Sequence, residues 1–354
     1  NLKGSDYMTK RKKTLILLIT LILYSFSLTG CSNKNTGKTT KDPTKEPLKI
    51  RLSTIFLPEQ PDYQFCEEFK ERVEKETNGT IQVSLYPANQ LGDYTVVFEE
   101  IMKGTIDMCM NTIPSNYDPR LEVLYLHYIA ENYDQVREYF GEGSYIYNLI
   151  DEICLDKNIK FLGFHGGGFS GLGLIKEPNS PTDPKVAKSV LIRVPPMEVF
   201  KSWADDMNYK TVSLPYEELY TALQTGVAEG WSGGQPAVNY FAYRDVIKYY
   251  YQYNTYFENH GWCMNLNLWE SLPPEHQTII SNIIKDLSVK SVIAAEENDE
   301  LYMKKLEEHG VKVTTFTDED LKTMAEHTRK VGWPKLENRL GKEIIENLKE
   351  QYNH

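Results

Sequence analysis

Strand and helix patterns alternate regularly in residues 48–110. Residues 48–56, 80–86 and 106–110 have the alternating or buried apolar pattern of strands, and residues 62–77 and 94–103 have the spacing of helices. Strand, helix, strand, helix, strand in this order is typical of a mostly parallel sheet covered by helices. The first part of the chain is therefore predicted to have an α/β fold.

The same alternation returns later in the chain. Strands are predicted over residues 159–164, 190–194 and 211–214, and helices over residues 198–207 and 216–225. Three glycines at residues 166–168 follow the first of these strands, and they predict a loop that a ligand or a second chain segment can approach closely. A length of 354 residues is about twice that of a common domain, so the repeated pattern predicts two α/β lobes.

A long helix is predicted after a strand over residues 261–269. Pro273 and Pro274 open a periodic run that continues without Gly or Pro to His309, about 35 residues or about 50 Å. A helix of that length can span both lobes. We predict a first lobe from residues 48–165 plus about 260–290, a second lobe from residues 166–259 plus about 310–354, and a connecting helix over residues 273–309.

Residues 1–47 differ from the rest of the chain in charge and hydropathy. A basic run at residues 10–13 is followed by an almost entirely apolar stretch over residues 14–28 and then by Leu28-Thr29-Gly30-Cys31. This order is typical of a secretory signal and resembles a bacterial lipoprotein signal, which is cleaved before a cysteine that carries lipid. A single membrane span is the alternative, but it needs about 20 apolar residues and about 15 are present. We predict a signal peptide over residues 1–30, lipidation of Cys31 and a flexible tether over residues 31–47.

The charge of the chain argues against a nucleic-acid partner. The formal net charge is −11, and residues 1–30 carry five basic side chains and one acidic side chain, a net of +4, which leaves −15 for the remainder. A protein that binds nucleic acid needs a basic surface to displace counterions from phosphate. Recognition of any anion by this body must therefore be local.

No motif for catalysis, nucleotide binding or metal binding is complete. Gly168-Phe169-Ser170-Gly171 does not complete the Gly-x-Ser-x-Gly of a hydrolase, and the glycine patterns of nucleotide sites are absent from the sequence. Cys66, Cys109, Cys154 and Cys263 lack the spacing of a metal site. We predict no enzyme activity, no cofactor and no metal. Disulfide pairing and four free thiols both remain open for these cysteines.

Five short motifs, in order along the chain, resemble those of a known family. They are ETNGTI at residues 76–81, NQLG at 89–92, KGTIDM at 103–108, LIRVP at 191–195 and YEELYTALQTGVAEG at 216–230. Each alone is weak, but together they resemble the DctP-type solute-binding proteins of tripartite ATP-independent periplasmic (TRAP) transporters. The resemblance extends over nearly the whole chain after the tether.

This resemblance implies a fold, a function and a set of partners. The implied fold has two α/β lobes of the periplasmic-binding-protein or Venus flytrap type, joined by crossover segments and a long helix that spans both, closing around one small organic ligand. Members of the family are not enzymes: they capture an organic acid outside the cytoplasm and deliver it to a small and a large membrane permease subunit. Lipid on Cys31 would anchor this chain to the cell membrane. A binding lipoprotein for an ATP-driven importer, or a membrane sensor, is the alternative.

Arg193 is the candidate carboxylate ligand, since it matches the arginine of the family's LIRVP-like motif. A guanidinium is always charged and presents two parallel N–H donors to the two oxygens of a carboxylate. The residue also lies at the carboxyl end of a predicted strand, where ligands bind in open α/β sheets. The alternative is a surface salt bridge with Glu198 or Asp205.

Two departures from the family pattern bear on the ligand. Ser170 stands where the family has a second arginine, and Gly233 stands where it has an asparagine that orients the carboxylate. Loss of both groups should disfavour small dicarboxylates and sugar acids and should enlarge the cleft. We therefore predict a bulkier or less polar monocarboxylate whose aromatic or branched body stacks on Trp231, Phe169 or Tyr256, although Trp231 can equally pack in a core.

Three further polar residues are weaker candidates. His165, beside the glycines, is predicted either to hydrogen-bond the ligand or to end a strand. By the resemblance, contacts from the first lobe come from residues 56–64 and 111–115, where Asn111 and Thr112 are candidates. The alternative for both is ordinary turn chemistry.

Overall fold

The computed structural model describes residues 46–351, which contain two mixed β-sheets flanked by helices. The first sheet has the strand order β2-β1-β3-β10-β4. Its strands are β1 (Leu48–Thr54), β2 (Ile81–Tyr86), β3 (Met108–Asn111), β4 (Ile159–Phe169) and β10 (Phe257–Asn265). β1 is parallel to β2 and β3, and β10 is antiparallel to β3 and β4. We call this sheet and its helices the first lobe.

The second sheet has the strand order β11-β9-β5-β8-β6-β7. Its strands are β5 (Leu172–Leu174), β6 (Leu191–Val194), β7 (Lys210–Ser213), β8 (Gly230–Ser232), β9 (Tyr249–Gln252) and β11 (Lys312–Thr315). β6 is parallel to β7 and β8, whereas β5 is antiparallel to β8 and β9. This sheet and its helices form the second lobe, so the predicted two-lobe α/β fold is confirmed.

The helices lie between the strands in the predicted alternation. The α-helices of the described residues are Pro61–Glu76, Tyr94–Lys103, Tyr133–Phe140, Tyr145–Leu155, Glu198–Asp206, Leu219–Thr225, Pro236–Val238, Leu266–Ser271, Pro274–His309, Asp318–His327, Glu337–Leu340 and Lys342–Gln351. Short 3-10 helices occupy Pro119–Tyr125, Tyr216–Glu218 and Trp333–Leu336, and π-helical turns occupy Asn239–Tyr243 and Thr328–Gly332.

The long helix Pro274–His309 packs closely against β4. Proline in its first turn starts it, and Gly310 in the left-handed conformation, with φ of 102°, ends it. Ser291 Oγ accepts a hydrogen bond from the backbone N–H of Gly166 at 2.9 Å, and Asp299 Oδ2 accepts one from Phe169 at 3.0 Å. A side chain at Gly166 would approach Val292 and Phe257 to 2.9 Å. The glycines of β4 therefore allow the helix to approach.

Two secondary-structure predictions are wrong. The three glycines at 166–168 continue β4 and do not form a loop. The chain segment that approaches them is the long helix, which packs against the strand at these glycines. The strand predicted over residues 261–269 starts earlier and ends at Asn265, whose side chain accepts a hydrogen bond from Leu268 N–H and caps a short helix.

Two crossover segments connect the two sheets, and these segments lie side by side. β4 leads to β5 through Ser170, and β9 leads to β10 through Thr255 and Tyr256. Ser170 donates its backbone N–H to Tyr256 O at 2.9 Å, and the hydroxyls of Ser170 and Thr255 lie 2.9 Å apart. The two crossovers therefore form one hydrogen-bonded hinge between the lobes.

All four cysteines of the described part are buried free thiols, including Cys109 and Cys263, which face each other on β3 and β10. Residues 46–351 contain no helix that is both long and apolar enough to cross a membrane. The signal segment, Cys31 and most of the tether lie outside the described residues.

Candidate ligand-binding site

A cavity with about 560 Å³ of empty space, part of it open to solvent, lies between the two sheets. Both lobes contribute to its wall. The lining residues are Ile55, Phe56, Tyr94, Thr112, Tyr125, Arg193, Pro195, Met197, Phe200, Tyr216, Trp231, Ser232, Gly233, Gly234, Gln235, Val238, Tyr256, Glu258 and His260.

Parallel strands direct their carboxyl ends toward this cavity. Phe56 follows β1 and Thr112 follows β3 in the first lobe, while Arg193 and Trp231 lie at the ends of β6 and β8 in the second. Arg193 and Trp231 are direct neighbours in the β6–β8 register, so their side chains lie side by side. Such strand ends are the usual ligand position in open α/β sheets.

Arg193 is buried, with 1% of its surface exposed, and only partly satisfied. Its Nε donates to the backbone oxygen of Leu214 at 2.9 Å, while Nη2 has no hydrogen-bond partner among the described residues. The Tyr216 ring lies 6.0 Å from the guanidinium carbon. Burial lowers the pKa of Arg193, because removal from water disfavours the charged form. An anion at Nη2 would compensate this buried charge.

The alternative salt bridge for Arg193 is not formed. Asp205 pairs instead with Lys201 at 2.5 Å, and Glu198 is exposed on the following helix. No carboxylate within residues 46–351 lies within salt-bridge distance of Arg193. Arg193 is also the single Arg or Lys among the residues that line this cavity.

Trp231 and Tyr256 line the cavity, and the polar atom of each side chain is hydrogen-bonded to another side chain of the protein. Trp231 Nε1 donates to Asn239 Oδ1 at 3.0 Å, and its ring centroid lies 4.9 Å from that of Tyr243. Tyr256 donates its hydroxyl to Glu258 Oε2 at 2.8 Å. Trp231 therefore both packs in the second lobe and lines the cavity, so the two alternatives for it coexist.

Gly233 lines the cavity, but the absence of a side chain at this position does not enlarge the cavity as predicted. Its φ is 129°, a region that other residues rarely adopt. A Cβ at this position would meet Trp231 Cζ3 at 3.0 Å and the Tyr256 hydroxyl at 3.2 Å. Trp231 and Tyr256 therefore fill the place next to Gly233.

Glu258, His260 and Gln235 form a polar group in the cavity wall that the sequence analysis missed. Glu258 and His260 belong to β10 of the first lobe, and Gln235 follows β8 of the second. Burial raises the pKa of Glu258 to about 7, and burial together with nearby His165 lowers the pKa of His260. The polar run Glu258-Asn259-His260 within a strand was the available signal in the sequence.

Three further tyrosines belong to the cavity lining that the motifs did not predict. Tyr94, Tyr125 and Tyr216 join Tyr256 around the cavity, and Phe200 and Met197 add apolar surface. The signal was the total of 24 tyrosines, a residue type with an apolar ring and a polar tip that suits ligand clefts.

Four of the nine predicted contact residues lie outside the cavity lining. His165 Nε2 lies 2.8 Å from Asp62 Oδ1, and Phe169 packs edge-on against Tyr133 and Phe257. Ser170 is in the hinge, where its hydroxyl pairs with Thr255. Asn111 is buried one residue before Thr112 and accepts the N–H of that residue through Oδ1 at 3.0 Å. Arg193, Trp231, Gly233, Thr112 and Tyr256 are brought together in the lining.

A metal site has no basis in this geometry. Within residues 46–351, no group of three or more His, Cys, Asp or Glu side chains is placed to hold a metal ion.

Comparison with known proteins agrees with this architecture. A C4-dicarboxylate-binding periplasmic protein DctP of Rhodobacter capsulatus is 26% identical over 262 residues, 72% of this chain and 76% of that protein. A TRAP periplasmic solute-binding protein of Desulfovibrio salexigens with bound orotic acid matches with a TM-score of 0.76 and 20% identity, over 86% of this chain and 98% of that one. One from Haemophilus influenzae with bound L-gulonate matches with a TM-score of 0.75 and 24% identity, over 86% and 99%.

The family itself follows from a match to most of the chain. The model of the DctP family, described as bacterial extracellular solute-binding protein, family 7, matches residues 52–336. This span includes every strand from β2 to β11, both crossovers and the whole cavity lining. The chain belongs to the DctP family of bacterial extracellular solute-binding proteins, family 7.

Proposed function

We propose that this chain captures an organic acid in the cavity between its lobes, with Arg193 binding the carboxylate. The observation that carries this proposal is a buried guanidinium that lines the cavity with Nη2 unpartnered. A carboxylate can accept two parallel N–H donors from one guanidinium, so it fits this position better than a neutral ligand. Trp231, Tyr256, Gly233 and Thr112 would contact the rest of the ligand.

The role is binding and delivery rather than catalysis. Relatives that are named for binding C4-dicarboxylate, or that contain orotic acid or L-gulonate, all take organic acids. By this likeness the acid would pass to the small and large membrane subunits of a TRAP transporter. The hinge at Ser170 and Thr255 supports opening and closing between the lobes.

We further propose a monocarboxylate as the ligand. Arg193 is the one Arg or Lys in the cavity lining, and the position of the family's second arginine holds Ser170, which is paired with Thr255 in the hinge. A second carboxylate would therefore be buried without a cationic partner, which is strongly unfavourable. The aromatic rings of Tyr94, Tyr125 and Tyr216 favour an apolar ligand body.

A ligand screen on the purified full-length protein tests these proposals. Aliphatic, aromatic and keto monocarboxylates should raise the melting temperature by mass action, and succinate should not. Lys201→Ala, which removes a nearby exposed cation that pairs with Asp205, is the matched control for Arg193→Ala. Acid binding that survives Arg193→Ala unchanged would refute the site, and stronger binding of succinate than of every monocarboxylate would refute the ligand class.

Lipid anchoring at Cys31 outside the cytoplasm is a separate proposal. It rests on the basic run, the apolar stretch and the Leu28-Thr29-Gly30-Cys31 ending of the signal-like segment. In a bacterial host, fractionation should recover the protein with membranes, and mass spectrometry should find a lipidated N-terminal peptide that starts at Cys31. Cys31→Ser should abolish the lipid. An intact, unlipidated segment 1–30 in the mature wild-type protein would contradict the proposal.

A further inference from the structure

We propose that the ligand carries an amine in addition to its carboxylate, and that Glu258 and His260 of the first lobe bind this amine. The inference rests on the proposed function, because it assumes that Arg193 holds the carboxylate. It adds a second recognition point on the opposite lobe and narrows the ligand to an amino-substituted carboxylic acid.

Glu258 is placed to accept a hydrogen bond from a ligand. The side chain lines the cavity and is 9% exposed. One carboxyl oxygen, Oε2, accepts the Tyr256 hydroxyl at 2.8 Å, and the other accepts no hydrogen bond from the described residues. No cation within residues 46–351 forms an ion pair with Glu258. A buried carboxyl with one free oxygen can accept a further hydrogen bond, and none of the described residues donates one to it.

His260 offers a second unsatisfied group beside the same wall. The ring is 2% exposed, packs edge-on against Phe56 at 4.8 Å between centroids, and neither ring nitrogen has a hydrogen-bond partner in the described structure. Burial and neighbouring His165 favour the neutral ring, which has one nitrogen able to accept a hydrogen bond. Gln235 Nε2 is likewise buried without a partner, but it is a donor and so would bind an acceptor oxygen of the ligand rather than the amine. Unpaired buried polar groups of this kind are rare unless a ligand or water completes them.

Arg193 and Glu258 come from different lobes and do not pair with each other. Arg193 lies on β6 of the second sheet and Glu258 on β10 of the first. A ligand with a carboxylate and an ammonium would match both, and it would connect the lobes across the cleft. A second carboxylate in place of the amine would be repelled by the Glu258 carboxylate and could bind there only if Glu258 took up a proton, so the same arrangement disfavours dicarboxylates.

Matched acids that differ only in the amine test this proposal by calorimetry on the full-length protein. The pairs are phenylalanine and phenylpropanoate, leucine and isocaproate, and γ-aminobutyrate and butyrate, which also vary the position of the amine. We expect at least one amino acid to bind about tenfold or more tightly than its amine-free partner, since a hydrogen bond to a charged group contributes that much.

Two variants separate the role of Glu258 from general effects of buried carboxyls. The Glu258→Gln variant should bind each amino acid and its amine-free partner with about equal affinity, and it should still bind the amine-free acids. Asp299→Asn is the matched control: Asp299 is also buried with its pKa raised to about 7, but it hydrogen-bonds Tyr133 and Phe169 and lies outside the cavity lining. It should retain the preference.

The outcomes are distinct for the two proposals. Equal or tighter binding of all amine-free acids by the wild-type protein overturns the amine site but leaves the carboxylate site intact. An amine preference that persists in Glu258→Gln overturns the assignment to Glu258. If the wild-type protein binds none of the tested acids, the carboxylate function itself is refuted. This result does not depend on either variant.

Discussion

Arg193 Nε donates to the backbone oxygen of Leu214, the residue that follows β7, at 2.9 Å. This bond fixes the guanidinium from the side of its own sheet. Nη2 has no hydrogen-bond partner among the described residues, so it remains available to a ligand. The arginine is thus oriented before any ligand arrives, which reduces the entropy lost on binding.

Arg193→Ala should abolish acid binding. Removal of one partner from a desolvated charge pair costs about 3 to 5 kcal/mol, roughly a hundredfold or more in affinity. Calorimetry with the best acid from the ligand screen measures this loss. Lys201→Ala, on the neighbouring helix, should bind normally. Affinities of the two variants that differ by less than tenfold would contradict a direct contact with Arg193.

Arg193→Met should stabilise the protein when no ligand is present. The charge of Arg193 is buried without a carboxylate partner, and its lowered pKa reflects the free energy of that desolvation. Methionine fills similar space without the charge, so the free energy of unfolding should rise by about 1 to 3 kcal/mol. Urea unfolding of the ligand-free protein measures the change. A loss of stability in Arg193→Met would show that the hydrogen bond to Leu214 outweighs the desolvation.

Thr255→Val should destabilise the hinge. The variant removes the partner of the Ser170 hydroxyl, which is fully buried, and an unsatisfied buried hydroxyl costs about 1 to 3 kcal/mol. Thr278→Val, at an exposed position of the long helix, should change stability by less than about 0.5 kcal/mol. The double variant Ser170→Ala/Thr255→Val should be more stable than the sum of the single changes implies. Strict additivity would mean that the two hydroxyls do not interact.

His127→Phe should make the protein less sensitive to acid. His127 is buried against Trp203, at 5.0 Å between ring centroids, and burial lowers its pKa to about 3. As the pH falls below about 6.5, the unfolded chain gains a proton that the folded His127 does not bind, so stability is lost.

The phenylalanine variant lacks this titration. Its unfolding free energy relative to wild type should rise by up to about 1.4 kcal/mol per pH unit between about pH 6 and pH 4. Urea unfolding across this range measures the difference. Parallel stability curves for the two proteins would show that His127 titrates normally in the folded state.

The strand ends of the second lobe could be predicted because local pattern and position agree there. LIRVP gives a short apolar strand, an arginine and a proline stop, and the structure places β6 at Leu191–Val194 with Arg193 in the cavity lining. The long helix could be predicted equally well, since a long periodic run without Gly or Pro is typical of a helix. Its observed bounds are Pro274–His309.

The remainder depended on contacts between distant parts of the chain. Gly166 has the local character of a loop residue, and only the packing of the long helix explains its place in a strand. Asn111 and Thr112 are adjacent, and strand geometry sends successive side chains to opposite faces, so one lines the cavity and the other does not. Glu258 lies about 65 residues from Arg193 and on another sheet, so no local motif connects them.

The glycines of β4 have a mechanical consequence for closure of the cleft. Gly163 and Gly166 bring the long helix within direct contact of the strand backbone, and a hydrogen bond to Ser291 fastens it there. The same helix contacts the second lobe through the rings of Tyr302 with Tyr240 and Phe241, at centroid distances of 5.6 and 5.3 Å, and its last residue, His309, lies 3.1 Å from Asp245 through Nε2. The helix should therefore move with the first lobe as a rigid element, and the change of angle between the lobes should be taken up where the helix ends at Gly310, just before β11.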